Sequence, residues 1–425
     1  MEPDTYYLST LNFQLSTHNS QLTTHNSLLT MLRFDSLTVR EWPDPRTTKP
    51  HILPIYATSS FEFEDTEQGM RIFSQQEKGH TYGRYGNPTV DAVAAKIAAL
   101  ETYGSDIQAS AVMTNSGMAA VNVLTAGLLK SGDKMLSQPN VYGGTTELMQ
   151  KVVSGWGVEI IYTDLANADQ VEKYLKQDPA IKLIYLETPA NPTLACLDIE
   201  MLAGIARKYQ RWTAIDNTFA TPYLQQPLKL GVDFVIHSTT KYLNGHGNSI
   251  AGIVIGKDPV LFNQKIWNTM KLTGANCSPF EAWLVHQGLK TLPLRMDKHC
   301  SNAMTVATAL ANHPEVAAVN YPGLTTHPQH AIARKQMRAF GGMMSFELKA
   351  GYDRALRAMN RLKFCLRAPT LGDVDTLVLH PASSSHLRVA PELRRQAGIS
   401  DGLIRISVGI ENPQDILDDL VQAIA

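Results

Sequence analysis

The chain has few cysteines, no long apolar run and almost no net charge, and each shortage removes a class of protein. Cys196, Cys277, Cys300 and Cys365 stand far apart, with no close pair among the four. That excludes a disulfide scaffold or a zinc framework built on short spacings, and it points to reduced thiols in a cytoplasmic protein. No apolar stretch approaches the roughly 20 residues a helix needs to cross a bilayer. A formal net charge of -1 argues against nucleic acid or an anionic membrane surface as partner, since either would call for a basic excess. What is present is ordinary for a soluble globular protein: 425 residues, 44% hydrophobic and 18% charged, enough for two or three packed units.

Lysine and arginine are also absent from the first thirty residues. This segment contains three imperfect copies of one unit, STLNFQL, STHNSQL and TTHNSLL, running from Ser9 to Leu29. Without basic residues it lacks the positive region of a secretion signal and the arginines of an organelle presequence. A polar low-complexity repeat buries too little apolar surface to offset its ordering entropy. Residues 1–30 are therefore expected to be disordered and without function, with Met31 as the expected functional start.

From about residue 90 the pattern alternates. Val90 to Leu100 reads as a helix, Ala109 to Thr114 as a strand, and a helix opens at Asn115-Ser116-Gly117-Met118. Further strands are expected at Lys134–Ser137, Val158–Tyr162, Leu183–Glu187, Thr213–Ile215, Phe234–Ile236 and Ala251–Ile255. Strands alternating with helices predict an α/β fold with a largely parallel sheet covered on both faces. Such sheets bind ligands at the carboxyl ends of their strands, where Ser116, Glu187, Asp216 and Lys241 fall. One helical run is expected over Leu284–Ala309, followed by strands at Met344–Leu348 and Leu403–Val408. The expected organisation is an arm over 31–90, a large domain over 91–285 and a smaller α+β domain over 286–425.

Lys241 closes an apolar strand followed by Ser238-Thr239-Thr240, and Asp216 ends the strand before it. A lysine to condense with an aldehyde and an aspartate to hold a ring nitrogen protonated are the two requirements of a pyridoxal phosphate site. Alone, a lysine after a strand is a solvated surface residue, and Asp216 could be a helix cap. Ser116-Gly117-Met118 at a helix start suits a phosphate, with Ser238 and Thr240 as hydroxyl donors. Tyr142, before Gly143-Gly144, can stack on a flat heterocycle. The convergence of these features carries more than any one of them.

The chain resembles the Cys/Met-metabolism family of pyridoxal-phosphate enzymes on the aspartate-aminotransferase-like fold (fold type I). The resemblance rests on Tyr82-Gly83-Arg84-Tyr85-Gly86-Asn87-Pro88-Thr89, Ser116-Gly117-Met118, Tyr142-Gly143-Gly144-Thr145 and Glu187-Thr188-Pro189-Ala190-Asn191-Pro192-Thr193. It continues through Asp216-Asn217-Thr218-Phe219-Ala220-Thr221-Pro222, His237-Ser238-Thr239-Thr240-Lys241-Tyr242 and Arg405-Ile406-Ser407-Val408-Gly409-Ile410-Glu411. It implies that Lys241 holds the cofactor and moves protons, that Asp216 pairs with the ring nitrogen, and that Tyr142 stacks on the ring and serves the leaving group. It further implies that Arg405 grips the substrate carboxylate. Asn191 would lie near the cofactor and Thr370 near the carboxylate. Tyr82 and Arg84 would reach the phosphate of a neighbouring subunit, in a shared-site dimer that pairs into a tetramer.

The family includes methionine γ-lyases, cystathionine γ-lyases and γ-synthases, cystathionine β-lyases, and O-acylhomoserine sulfhydrylases. Cystathionine enzymes usually carry a glutamate where Pro369 stands, so this chain resembles them less at that position. His380-Pro381-Ala382-Ser383 and the stretch from Met270 to Ala303 resemble methionine γ-lyases, whereas Gly144 replaces a thiol found in many of them. Gly245-His246-Gly247-Asn248-Ser249-Ile250 leans toward O-acetylhomoserine sulfhydrylases. The leading expectation is γ-elimination on methionine or homocysteine. O-acylhomoserine γ-replacement comes second and a cystathionine enzyme third; an inert cofactor-binding regulator is the reading of another class.

Overall fold

The computed structural model describes residues 32–40, 50–387, 391–396 and 398–425. The polar repeat lies outside the described residues.

Seven strands form the larger sheet: β1 Ser110–Thr114, β2 Lys134–Ser137, β3 Glu159–Tyr162, β4 Ile181–Glu187, β5 Trp212–Asp216, β6 Phe234–His237 and β7 Gly252–Gly256. Their order is β1-β7-β6-β5-β4-β2-β3. The five from β6 to β3 run parallel, and β7 runs against both its neighbours. This is the largely parallel seven-stranded sheet expected from the sequence. A strand covered on both sides needs apolar residues at every position rather than at alternate ones. β4 has them: Ile184 and Leu186 enter the apolar layer containing Val93 and Ile97, while Leu183 and Tyr185 enter the one containing Val121 and Leu124.

The smaller sheet contains β8 Val316–Asn320, β9 Met343–Leu348, β10 Leu366–Arg367, β11 Leu377–Leu379 and β12 Leu403–Ser407. It is ordered β10-β11-β12-β9-β8 and is antiparallel except between β10 and β11. Phe346, Ile404 and Ile406 pack there against Ile416 and Leu420 of the C-terminal helix Pro413–Ile424.

Three features differ from expectation. The single helical run is two helices, Pro279–Leu289 and Leu292–Ala311. Pro293 has no N–H to offer the carbonyl of Leu289, so the helix breaks before it. Arg295 exploits the break, donating to the Gly288 carbonyl at 2.7 Å and to the Tyr242 carbonyl at 2.7 Å. The break is thereby tied to the segment carrying Lys241. The arm before residue 90 contains two helices that the sequence pattern does not announce, Phe34–Val39 and Thr66–Phe73. The second is capped by Asp65, which accepts from the Gln68 N–H at 2.6 Å, and it leaves Met70 and Phe73 exposed. Finally, β8, β10 and β11 are strands that the sequence pattern does not announce.

Asp419 anchors the edge of the smaller sheet. It accepts from the N–H groups of Lys363, Phe364 and Cys365 at 2.8, 3.0 and 2.8 Å. Burial opposes its charge, but those three donors and Gln422 outweigh it and hold the carboxyl below the usual range. A depressed folded-state value stabilises the protein above the unfolded-state pKa and loses that effect as pH falls through the folded one. Asp419→Asn is therefore expected to destabilise the chain by about 1–3 kcal/mol near neutral pH. Urea unfolding at a series of pH values should show that gap shrinking below about pH 4.

Candidate active site

The carboxyl ends of β4, β5 and β6 meet at one level, with Glu187 beside Asp216 and Asp216 beside Ile236. After β6 the chain turns through Ser238 to Lys241, with the Lys241 N–H donating to the Ser238 carbonyl at 3.2 Å. Ser116, Gly117, Met118, Asp216, Ser238, Thr240, Lys241 and Thr370 are all partly exposed in otherwise buried surroundings.

The Lys241 ammonium donates to Thr370 Oγ1 at 2.9 Å. Burial lowers its pKa, Arg405 pushes the same way, and Asp373 pulls back. An amine moved toward its neutral form is a better nucleophile and base. The Thr370 carbonyl in turn accepts from Arg405 Nη2 at 2.8 Å, while Arg405 Nη1 donates to Asn191 Oδ1 at 3.3 Å. Arg405 is 5% exposed, its Nε has no partner, and burial brings its pKa down to about 10. It remains charged near neutral pH. Among the described residues it has no carboxylate partner, and a substrate carboxylate is the counter-ion its planar fork suits.

Glu187 is a brace. Its Oε2 accepts from the Tyr142 N–H at 2.7 Å and its Oε1 from the Asn191 N–H at 2.9 Å. Gln138, at the end of β2, clasps the Glu187 backbone with its amide, at 3.1 and 2.9 Å. Asp216 accepts the Thr218 N–H at 3.0 Å. Burial raises the pKa of both acids, and the charge of Asp216 adds to the rise at Glu187.

The remaining expected residues are placed as follows. Ser116 Oγ accepts from the Ala119 N–H at 3.1 Å and caps the Gly117–Leu128 helix. A Cβ on Gly117 would lie 2.6 Å from Ser238 Cβ, so the glycine is what lets the helix start and Ser238 meet. Thr240 Oγ1 already donates to the Ala251 carbonyl and accepts the Ala251 N–H, both at 3.1 Å. Tyr142 is 47% exposed, and its ring closes over Gly144, where a Cβ would lie 2.6 Å from the ring and 3.2 Å from the Met118 sulfur. Tyr82 and Arg84 stand apart: Arg84 donates to the Lys271 carbonyl and its guanidinium lies 4.9 Å from the centre of the Tyr85 ring and 5.5 Å from that of Tyr82. No hydrogen bond among the described residues joins either to Lys241, Asp216 or Arg405.

Sequence reasoning missed Gln138 and Asp373. The structure buries His237, which precedes the lysine motif, against Glu101 with a contact of 2.6 Å. Gln138 was detectable as a polar side chain ending an apolar strand. Nothing local marks Glu101 as the partner of His237 from 136 residues away.

This donor set fits pyridoxal phosphate. Asp216 is a desolvated acid that lacks a cation among the described residues, which a protonated ring nitrogen would supply; Lys241 is an amine shifted toward neutrality; and the close approach of Gly117 to Ser238 leaves a helix start beside a hydroxyl for the phosphate. Comparison with known proteins agrees. The profile of the Cys/Met metabolism PLP-dependent enzymes matches residues 35–425. An L-methionine gamma-lyase from Fusobacterium nucleatum subsp. nucleatum is 46% identical over 373 residues, spanning 88% of this chain and 93% of the relative. An O-succinylhomoserine sulfhydrylase from Pseudomonas aeruginosa is 39% identical over 392 residues, spanning 92% and 95%. Among solved structures, a putative O-acetylhomoserine (thiol)-lyase from Campylobacter jejuni, carrying N'-pyridoxyl-lysine-5'-monophosphate, superposes with a TM-score of 0.88. It is 33% identical and covers 92% of this chain and 100% of that one. The chain belongs to the Cys/Met metabolism family, has its fold type I architecture and depends on pyridoxal phosphate.

Borohydride reduction of the holoenzyme followed by peptide mapping is expected to leave the pyridoxyl group on Lys241; a label on another lysine would overturn that assignment. Gly117→Ala should force Ser238 and the helix start apart. An overpacking cost of about 1–3 kcal/mol corresponds to roughly 5- to 150-fold weaker cofactor retention, measurable by equilibrium dialysis.

Proposed function

We propose that this member of the family cleaves L-methionine and L-homocysteine by γ-elimination. One water is consumed, and 2-oxobutanoate, ammonia and a thiol (or hydrogen sulfide) are released. The observation that carries the choice is the mouth at Ala368-Pro369-Thr370. Pro369 is exposed and uncharged, immediately beside the Thr370 that holds Lys241. Cystathionine ends in a distal ammonium that calls for an acid there, whereas methionine ends in an apolar thioether. The Met118 sulfur and the Tyr142 ring meeting at Gly144 offer a soft apolar wall for such an end. The methionine gamma-lyase relatives support the same reading.

When bound, pyridoxal phosphate supplies an electron sink for carbanions at the substrate's α and β carbons. The residues of the chain do the rest. Arg405 orients the substrate by its α-carboxylate, with Asn191 and Thr370 fixing the guanidinium. Lys241, its pKa lowered by burial, would take the α proton and then serve the β carbon. Asp216 would pair with the ring nitrogen and favour its protonated form. Tyr142 would stack on the ring of the bound cofactor and deliver a proton to the departing sulfur. Ser116, Gly117, Met118, Ser238 and Thr240 hold the phosphate, Thr240 after exchanging its bond to Ala251.

Tyr82 and Arg84 complete the phosphate site of a neighbouring subunit, with the 31–90 arm as the bridge. The exposed Tyr82, Met70 and Phe73 support this, as does the distance of both residues' contacts from Lys241. The assembly is a shared-site dimer, paired into a tetramer, that works in the cytoplasm.

A second reading, γ-replacement of an O-acylhomoserine by sulfide, is favoured by Gly144, which lacks the thiol of many methionine γ-lyases, and by the Pseudomonas aeruginosa relative. A panel of methionine, cystathionine and O-acylhomoserines, each with and without sulfide, separates the two. Methionine alone should yield 2-oxobutanoate. No keto acid from methionine, together with homocysteine from O-acylhomoserine plus sulfide, would replace the first reading with the second.

Sharing of the site can be read from mixed oligomers. Lys241→Ala and Arg84→Ala chains should each be nearly inactive alone. Reassembled together they should regain about a quarter of wild-type activity, because half the dimers carry one intact site. No recovery on mixing would show that each site is built from one chain.

A further inference from the structure

Lys241 is asked for two opposite states in the reaction proposed above. It takes a proton as a neutral amine and gives one back as an ammonium. Burial and Arg405 favour only the neutral amine, and the hydrogen bond to Thr370 Oγ1 brings no charge. Among the described residues no carboxylate lies within ion-pairing distance of Lys241. The acid whose charge bears on it from further away is Asp373.

Backbone packing fixes where Asp373 stands. Gly372 has a φ of +81°, and a Cβ there would lie 2.7 Å from the Tyr242 nitrogen and 3.1 Å from the Lys241 carbonyl carbon. Only glycine lets this segment lie directly against the backbone of the lysine. The Gly245 N–H donates to the Lys241 carbonyl at 2.7 Å, and the Gly245 carbonyl accepts from the Val374 N–H at 3.2 Å. On the other side, the Gly372 N–H donates to Ser407 Oγ at 2.8 Å, on the strand that carries Arg405. Asp373 is 8% exposed, and its Oδ1 has no hydrogen-bond partner. A Cβ at Gly247 would lie 3.1 Å from Oδ2, so the loop after Lys241 closes on the carboxylate. A second buried cation shares this neighbourhood. Arg295 donates to the carbonyls of Tyr242, Leu243 and Gly288 and to Thr291 Oγ1, all of them uncharged.

We propose that Asp373 is a positioning residue that keeps a proton available to Lys241, acting through space as a counter-charge shared with Arg295. A direct ion pair would lock the ammonium, whereas a carboxylate held out of contact favours it and still lets the proton leave. The surrounding groups agree in direction. Asp373 raises the pKa of Lys241 against burial and Arg405, and it does the same for Arg295 against burial. Burial pushes the Asp373 carboxyl up; Lys241, the Gly247 N–H and His246 pull it back, and Asp375 opposes them. Tyr242, next to the lysine, is a phenol that burial keeps neutral.

The inference rests on Lys241 as the base of the proposed reaction, but its test reads the amine itself, whichever substrate is turned over. The full chain, stripped of cofactor, is trace-labelled with acetic anhydride over a range of pH and mapped by mass spectrometry. Exposed Lys151 serves as the reference. In Asp373→Asn the labelling of Lys241 should rise at lower pH than in wild type. Near neutral pH it should be several-fold faster, and at the alkaline plateau the two rates should coincide. Asp373→Glu should bring the curve back toward wild type. A site that is merely loosened would label faster at every pH; that result, or an unchanged curve, would sink the proposal. The reciprocal measurement does not need the Asp373 variants to fold. In Lys241→Ala the acid loses its cation, so infrared titration should show a carboxylic-acid band persisting to higher pH than in wild type. Identical titrations of the two proteins would refute the coupling.

Discussion

The site is organised around buried ionisable groups without counter-ions. Asp216, Glu187 and Arg405 lie at strand ends or within strands of the two sheets, and none is ion-paired among the described residues. Desolvating an ion costs several kcal/mol even after relaxation, so such groups persist only where the surrounding structure holds them. Deprotonating Arg405 near neutral pH is no escape. With a pKa about 10 it would cost about 4 kcal/mol, so the guanidinium stays charged and waits for an anion. The exposed pairs elsewhere, such as Lys151–Glu147 or Lys335–Glu200, bear little on stability or function by comparison.

What holds these charges is apolar and covalently distant. The two layers around β4 and β5 fix where the strand ends fall, and backbone N–H groups then neutralise Glu187 without mobile side chains. Arg295 fastens the broken helix to the Lys241 segment through carbonyls of Tyr242 and Gly288. A lysine placed in this way gives up flexibility in return for a defined distance to Thr370. Polar groups in the site answer to backbone first and to each other second, and that order keeps the geometry intact while the charges await their partners.

Much of this was legible in the sequence because β4 to β7 are buried on both faces. A short uninterrupted run such as Leu183-Ile184-Tyr185-Leu186 suits a strand covered above and below, and the polar residue that ends it then marks the ligand edge. The smaller sheet was harder to read. β10 has only two residues, and β8 carries exposed Ala317 and Ala318 where an apolar alternation would be needed. Pro293 announced the helix break, yet the apolar spacing on either side of it read as continuous. Pairings such as Glu101 with His237, or Gln138 with Glu187, join residues far apart in sequence. Only the fold brings them together, and neither partner carries a local signature.

Reaction choice is less firmly encoded than the cofactor site, and the reason is energetic. The charges that γ-elimination and γ-replacement both require are held by many bonds, so losing one is costly. The residues proposed above to separate the reactions, Pro369 and Gly144 beneath Tyr142, are small and uncharged. Hydrophobic contacts of that kind discriminate by about 1–3 kcal/mol, or roughly 10- to 200-fold. A missing distal carboxylate costs an ammonium-bearing substrate more, because the charge would lose water and gain no partner. On the reading proposed above, discrimination against cystathionine would be the stronger preference at this position. A preference between a thioether and an ester of the same amino acid would then rest on such small contacts, and relatives as similar as an L-methionine gamma-lyase and an O-succinylhomoserine sulfhydrylase differ in their named reactions.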